Sequence, residues 1–200
     1  MSAVAATLSK RECVLVEAAK MFARFGFRKT SIDEIAREAG VGKGTVYLTA
    51  DSKEELFYQV LLREVRGWQV ACAKVIDPRV PAEELLLRLY MAAHEQLSKN
   101  NLVRDLFRGE IVKILPSWGE RLDELQAIGK VNVTEILQIG VRQGRFRKDL
   151  EVDSVASILQ DLHLAGWILR PAHVTDEVVH DRARVAFDMI LHGIMAKARR

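Results

Sequence analysis

The chain has 200 residues, 49% of them hydrophobic and 28% charged, which is ordinary for a globular protein with a buried core. Its two cysteines, Cys13 and Cys72, stand alone and show no metal-ligand spacing, so neither a disulfide scaffold nor a zinc site is expected, and a reduced, cytoplasmic setting is favoured. No apolar run approaches the roughly 20 residues of a membrane span, and no signal peptide is visible.

The distribution of charge is more informative than the net charge of +3. Residues 1–53 carry nine Lys or Arg against six Asp or Glu, whereas residues 54–200 carry 21 of each. The N-terminal excess of positive charge suits a small module that faces phosphates. Long amphipathic runs with few Gly and Pro between them predict an all-α chain of about nine or ten helices.

A first helix is predicted over residues 9–25. Ser9 and Glu12 form a capping box at its start, and Gly26 ends it. The apolar stripe that is expected to be buried consists of Val14, Leu15, Ala18, Phe22 and Phe25. This helix is expected to brace the next two helices from behind.

Two short helices joined by a tight turn follow, and they predict a helix-turn-helix. Ser31 and Glu34 form a second capping box, and Gly40 can adopt the left-handed conformation that follows a helix end. The second short helix, over residues 43–49, carries small and hydroxyl residues where a core helix would carry leucine. In a helix-turn-helix, this second helix enters the major groove of DNA.

The same stretch resembles the signature of the TetR family of bacterial transcription regulators. The ordered matches are Thr30-Ser31, Ile35-Ala36, Ala39-Gly40-Val41, Gly44-Thr45-Val46-Tyr47 and Ser52-Lys53-Glu54-Glu55-Leu56. The resemblance implies a homodimer that binds a palindromic DNA operator, as a repressor that a small-molecule effector releases. In one departure, Thr49 and Ala50 stand where the family usually carries aromatic residues, so the join to the next helix is expected to pack less well.

Residue chemistry and the resemblance together select the candidate DNA contacts. Lys43 can donate to guanine acceptors, and Thr45 offers a hydroxyl and a methyl group, so both are expected at base edges. Two glycines are expected to keep the backbone close to the groove, and the remaining candidates to bind phosphates. The full set is Thr30, Ser31, Gly42, Lys43, Gly44, Thr45, Tyr47, Thr49 and Lys53.

The rest of the chain predicts a larger helical domain, with a division into residues 1–53 and 54–200. A third capping box, at Ser52 and Glu55, begins a long helix that reaches about residue 75. Further helices are predicted over residues 82–98, 102–115, 119–143, 154–169 and 175–198. This second domain is expected to bind the effector and to dimerise.

Large side chains on separate helices of this domain suggest a mainly apolar ligand pocket, in which His94 or Glu110 would orient the ligand. For each residue alone, a place in the ordinary core is the competing interpretation. The pocket is favoured because TetR-like proteins generally bind a small effector in this domain. Its candidate residues are Trp68, Met91, His94, Phe107, Glu110, Trp118 and Trp167.

The last two predicted helices carry more apolar surface than one buried face uses, and such a surplus indicates an interface. A two-fold contact of four helices between two copies of the chain is expected, and it resembles the dimer of the family. The candidate interface residues are Val155, Leu159, Leu162, Ala186, Met189, Ile190 and Gly193.

Two other classes of function compete with DNA binding. Residues 42–45, with the sequence GKGT, look like part of a nucleotide-binding loop, but the glycine that such a loop needs five positions earlier is Arg37, inside a helix. No catalytic motif, paired histidine spacing or cofactor site occurs, so an enzyme is not expected. A helical interaction protein, or an activator without ligand-controlled repression, is the alternative.

Overall fold

The computed structural model describes residues 9–168 and 176–194, and every regular element in these ranges is helical. The helices are α1 Lys10–Lys29, α2 Ile32–Glu38, α3 Lys43–Thr49, α4 Lys53–Ala73, α5 Ala82–Lys99, α6 Asn101–Phe107, α7 Glu110–Ile114, α8 Gly119–Arg142, α9 Val152–Ile168 and α10 Asp176–Ile194, with a 3-10 turn at Pro116–Trp118. The all-α prediction is confirmed for these ranges. None of these helices is both long enough and apolar enough to cross a lipid bilayer.

The predicted serine caps form. Ser31 caps α2 with a full capping box, because its hydroxyl accepts from the Glu34 N–H while the Glu34 carboxylate accepts from the Ser31 N–H at 3.1 Å. The Ser31 hydroxyl also donates to the Glu34 carboxylate at 2.7 Å, and this bond, with the one from the Ser31 N–H, lowers the pKa of the Glu34 carboxyl. Ser9 and Ser52 accept from the N–H groups three residues later and so begin α1 and α4, but the reciprocal bond of a full capping box is seen at Ser31 and not at these two serines, and Glu55 pairs with Arg121. Each start therefore lies where the sequence predicts it.

Two helix ends differ from the predictions. At Gly26, φ is 76°, which breaks the helical geometry of α1 as predicted, but a further helical turn follows and ends at Lys29. The kink turns Phe27 into the core, where it is 8% exposed, while Phe25 is 44% exposed, so the burial predicted for Phe25 is wrong. The helix predicted over residues 102–115 is two helices, because Gly109 is left-handed with φ at 71°.

The core consists of two clusters that α4 connects. The first joins α1, α2, α3 and the first half of α4 to α6 and to the start of α8. The second joins the end of α4 to α5, α9 and the C-terminal half of α8. Trp68 packs against both clusters, so a displacement of α4 near this residue is felt in each half of the molecule.

The aromatic residues of the first cluster fix α1 against α4. The ring of Phe57 lies 4.8 Å from that of Phe22 and 5.1 Å from that of Phe27, centroid to centroid. Thr49 and Ala50, at 9% and 6% exposure, are buried at the join between α3 and α4. The join is therefore closed by small side chains and does not stand open where the family's aromatic residues are missing.

The chain reverses tightly after α8. Phe146 follows the turn, is fully buried, and packs directly against Gly140 on the last turns of α8. A Cβ atom at Gly140 would lie 2.8 Å from the Cγ of Phe146 and closer still to two other ring atoms. Only glycine therefore fits at this position of α8.

Candidate nucleic-acid interface and ligand cavity

One face of α3 is open to solvent. Val46 is fully buried behind the helix, whereas Lys43, Gly44, Tyr47 and Leu48 are exposed on the other side. The exposed fraction of Tyr47 is 45%. The helix is thus displayed outward, as an interface with another molecule requires.

Lys43 has an ion-pair partner on the preceding helix. Its ammonium lies 3.0 Å from a carboxylate oxygen of Asp33, and this hydrogen bond and charge raise the pKa of Lys43. Both side chains are about half exposed or more, so the pair is weak and Lys43 can exchange Asp33 for another acceptor.

Two candidate DNA contacts are buried, which corrects the predicted roles of their side chains. Thr30 is 2% exposed, and its hydroxyl donates to the carbonyl oxygen of Gly26 at 2.9 Å. Thr49 is 9% exposed, and its hydroxyl donates to the carbonyl oxygen of Thr45 at 3.1 Å. Neither hydroxyl is available to a phosphate, because both are used inside the helix-turn-helix.

Lys53 joins the start of α4 to the loop before α2. Its ammonium donates to the carbonyl oxygens of Phe27 at 3.1 Å and of Thr30 at 3.3 Å, and it lies 4.4 Å from the centroid of the Phe27 ring. The side chain is only half-buried. Lys53 therefore bonds the start of α4 to the backbone that leads into the helix-turn-helix.

A polar cluster links α8 to α4 just beyond this point. Arg121 pairs with Glu55 at 2.8 Å and lies over the rings of Tyr58 and Trp118, at 4.7 and 5.4 Å from their centroids. The hydroxyl of Tyr58 donates to Glu124, and burial, with this bond, raises the pKa of Tyr58 to about 12. The N-terminal end of α8 is thus bonded to the part of α4 nearest α3.

A cavity lies among α4, α5, α6, α8 and α9. Its lining residues are Trp68, Leu86, Leu89, Tyr90, Ala93, Phe107, Gly129, Asn132, Val133, Leu159 and Gln160. None of these side chains is charged. The cavity has a volume of about 50 Å³, which is enough for a few water molecules at roughly 10–15 Å³ each. A larger ligand therefore needs the lining side chains to move.

The polar atoms of this lining differ in how they are satisfied. Asn132 is fixed, because its amide exchanges hydrogen bonds of 2.8 Å with the side chain and the carbonyl oxygen of Gln69. Gln160 donates to the carbonyl oxygen of Gln126 at 3.1 Å. The indole N–H of Trp68, in contrast, is buried and has no acceptor. Such an orphaned donor favours a ligand that carries an acceptor.

Trp68 and Phe107 are the predicted pocket residues that line the cavity. Met91 is exposed, Glu110 is exposed and pairs with Lys113, and Trp118 packs beside Phe57, so these three lie outside the lining of this cavity. His94 is buried on α5 but is not part of the lining. Trp167 lies in α9, and its side chain is outside the described part of the structure.

Nine of the eleven lining residues are absent from the predicted pocket, and three of them, Gly129, Asn132 and Gln160, leave some sign in the sequence. Gly129 and Asn132 are buried on one face of α8 with Leu125 and Ile136, at helical spacing. A glycine and an amide within an apolar stripe are a signal that could have indicated a cavity wall. Gln160 has a weaker signal, because it lies beside a polar neighbour in the sequence.

The outer faces of α9 and α10 expose apolar side chains. Of the predicted interface residues, Leu162 is 48% exposed, Met189 is 72% exposed and Ala186 is also exposed. Val155 and Ile190 are half-buried and pack on the second core cluster. Leu159 is wrong as an interface residue, because it is 4% exposed inside its own chain. Gly193 lies in α10, and its surroundings are outside the described part.

Comparison with known proteins gives a consistent result. Residues 14–60 match the family described as bacterial regulatory proteins, tetR family. The HTH-type transcriptional repressor KstR2 of Mycobacterium tuberculosis is 32% identical over 165 residues, which are 80% of this chain and 82% of that protein. KstR2 of Rhodococcus jostii is 28% identical over 194 residues, 92% of this chain and 91% of its own.

Solved structures share the fold. The transcriptional regulator FadR of Bacillus subtilis, in complex with stearoyl-CoA, gives a TM-score of 0.70 at 17% identity, over 91% of this chain and 98% of that one. The structure of KstR2 from Mycobacterium tuberculosis gives a TM-score of 0.51 at 23% identity, over 98% of this chain and 100% of that one. Both similarities extend well beyond the helix-turn-helix into the larger helical domain.

Proposed function

The chain belongs to the TetR family of bacterial transcription regulators, and from this premise we propose that it represses transcription as a homodimer on a palindromic DNA operator. Members of this family are transcription regulators and not enzymes. Repression is proposed because KstR2, similar over four-fifths of the chain, is a repressor. The observation that carries DNA binding is the outward face of α3, with Lys43 and Tyr47 exposed on a helix held by a buried Val46. The proposal places the protein in the cytoplasm.

In this proposal, residues 1–53 form the DNA-binding domain, and residues 54–200 form the domain that binds the effector and dimerises. Lys43 and Thr45 are assigned to base edges and Tyr47 to a phosphate. Of the remaining candidates, Gly42 and Gly44 are exposed and Ser31 is half-buried, as is Lys53, whose ammonium is bonded to carbonyl oxygens. A Cβ atom added at Gly42 or Gly44 would meet nothing within 4 Å, which suits a close approach of this exposed turn to a duplex.

Dimerisation is proposed through the exposed apolar side chains of α9 and α10. Besides Leu162 and Met189, these helices also expose Ile158 and Val185, both more than half exposed. Covering these groups by the same surface of a second copy removes them from water. The two α3 helices would then need to lie about 34–36 Å apart, one turn of DNA, to read a palindrome.

The proposed effector is a small, mainly apolar molecule with an acceptor oxygen. The described lining of the cavity has no charged side chain, and the buried N–H of Trp68 has no acceptor. A ketone or an ester-type carbonyl satisfies both conditions. Two relatives offer probes, since KstR2 is described as a ketosteroid regulator and FadR binds stearoyl-CoA.

The proposed control runs through α8 and α4. Gly129 and Asn132 line the cavity from the middle of α8, and the N-terminal turns of the same helix hold α4 through Arg121 and Glu124. When a ligand displaces α8, the start of α4 and the helix-turn-helix move with it. The spacing of the two α3 helices then no longer fits one turn of DNA, and the operator is released.

The proposal is tested by selecting DNA from a random pool with the purified chain. We expect a palindrome whose half-sites are centred one helical turn apart. Six to eight phosphate contacts should give a slope of log affinity against log salt of about −5 to −7. A chain that enriches no sequence and shows no salt dependence is an interaction protein, and a reporter gene activated from the selected site would identify an activator.

Lys53→Met is expected to weaken binding to every DNA sequence alike by disturbing the position of the helix-turn-helix. The variant keeps an unbranched apolar side chain but loses two charge-assisted hydrogen bonds and the contact of the ammonium with the Phe27 ring, so the free energy of unfolding should fall by about 1–2 kcal/mol. The salt slope should stay the same, because the ammonium is bound to carbonyl oxygens. The measurements are urea unfolding and fluorescence anisotropy at several salt concentrations.

Lys10→Met is the matched control, because Lys10 is an exposed lysine at the start of α1. It should change neither stability nor affinity appreciably. If Lys53→Met leaves stability intact and lowers the salt slope by about 1, Lys53 binds a phosphate instead and its positioning role is wrong.

A further inference from the structure

Leu48 is the most exposed large apolar side chain in the described part of the chain, at 90%. A single exposed leucine is common on protein surfaces and needs no explanation by itself. Leu48, however, lies on α3, the helix that the proposed function places in the major groove. It is not one of the DNA contacts that the sequence predicts.

The neighbours of Leu48 leave its side chain accessible to a large partner. Gly44 precedes it by one helical turn on the same face, and a Cβ atom there would meet nothing within 4 Å. Tyr47 is beside it, and Val46 and Ala50, both buried, hold the helix from behind. The side chain therefore stands next to a gap on the outer face of α3, with little support from its own chain.

The chemistry of leucine restricts what it can recognise in a major groove. Leucine has no donor, acceptor or charge, so it gains nothing from phosphates or from the polar edges of guanine, cytosine and adenine. The one apolar group that the major groove displays is the C5-methyl of thymine. Placing leucine against a G·C pair would instead remove water from polar base edges, and leucine cannot replace the hydrogen bonds that the water made.

We propose that Leu48 is a specificity-determining residue that selects a thymine in each half-site by contact with its C5-methyl group. The inference rests on the proposed function, because it requires α3 to enter a major groove. It goes beyond that function in naming the base and the atom that is read. Each operator would contain one such thymine per half-site, related by the two-fold axis.

The test replaces single thymines of the selected operator by deoxyuridine, which removes the methyl group and keeps base pairing. For the unchanged protein, one position per half-site should weaken binding about fourfold, the value expected for uncovering one methyl-sized apolar group. Substitution in both half-sites should weaken binding about 15-fold, since the two contacts are distant and independent. Affinities are measured by fluorescence anisotropy at fixed salt.

Leu48→Ala, combined with the thymine and uracil operators, completes a double-mutant cycle between the leucine and the methyl group. The variant should bind the thymine operator about as weakly as the unchanged protein binds the uracil operator, and it should no longer distinguish the two. Val70→Ala is the matched control, because Val70 is another exposed apolar residue, on α4, at 59% exposure. It should keep both the affinity and the preference for thymine.

Three results would overturn the inference while DNA binding itself persists. They are a selected operator without a thymine in its half-sites, no loss at any uracil position, and a Leu48→Ala variant that still prefers thymine. A chain that binds no DNA at any salt concentration would contradict the proposed function as well. The two failures are therefore distinguishable in one set of titrations.

Discussion

Gly140→Ala should lower the free energy of unfolding by about 3 kcal/mol, the upper end of the usual cost of overpacking a core. The added Cβ would overlap the ring of Phe146, whose Cγ would be 2.8 Å away. Phe146 is fully buried and cannot rotate into solvent without leaving a cavity. We expect the change in urea unfolding, followed by circular dichroism, as a lower midpoint with an unchanged slope.

Gly67→Ala provides the control with the opposite sign. Gly67 lies inside α4, and a Cβ atom added there would meet nothing within 4 Å, so alanine should stabilise the protein by about 0.5–1 kcal/mol through helix propensity. Both substitutions replace glycine by alanine inside a helix and so have the same effect on helix propensity. The difference between their free energies of unfolding therefore measures the overlap of the new Cβ with Phe146. If Gly140→Ala is as stable as the unchanged protein, Phe146 does not pack on α8 as described.

Gly129→Leu should abolish release from DNA by the effector while leaving DNA binding itself intact. A Cβ atom at Gly129 would lie 3.1 Å from the Phe107 ring and 3.4 Å from the Gln160 amide, so the rest of a leucine side chain would occupy the cavity. The probes are progesterone, as a neutral ketosteroid, and stearoyl-CoA. If a probe lowers the affinity of the unchanged protein for the operator 100-fold, the coupling free energy between the probe site and the DNA site is about 2.7 kcal/mol. In Gly129→Leu the same probe should leave the affinity for the operator unchanged.

Gly67→Leu is the control for this experiment, because it adds the same side chain to an exposed helical glycine. It should respond to the probe as the unchanged protein does. In the absence of a probe, Gly129→Leu should bind the operator within about threefold of the unchanged protein, which shows that the helix-turn-helix is preserved. A variant that is still released with full amplitude would show that the effector binds outside this cavity.

Local signals explain why the helix-turn-helix could be predicted. The capping box of Ser31 and Glu34, and the left-handed glycine at residue 40, need only neighbours in the sequence to form. The outward display of Tyr47 also follows from local spacing, because Val46 supplies most of the apolar side of α3. These features hold largely independently of the rest of the fold.

Features that depend on packing between distant helices could not be predicted. The kink at Gly26 turns Phe27 and not Phe25 into the core, where Phe27 packs against Phe57 on the distant helix α4. Trp118 is as large and apolar as Trp68, but the 3-10 turn before α8 places it in the first core cluster, away from the cavity. The hydroxyl groups of Thr30 and Thr49 have the chemistry of phosphate ligands, and only their burial shows that they bond to the backbone instead.

The bonds of Lys53 to the carbonyl oxygens of Phe27 and Thr30 tie α4 to the end of α1, and this bears on how spin-label distances should change when the effector binds. The packed rings of Phe22, Phe27 and Phe57 add to this link, and Ile35 of α2 and Val46 of α3 are buried in the same core cluster, so the three N-terminal helices and the first turns of α4 should move together. A pair of spin labels at exposed residues of α1 and α3 should therefore keep its distance when the effector binds. A label on α3 paired with one on α5 should report the change.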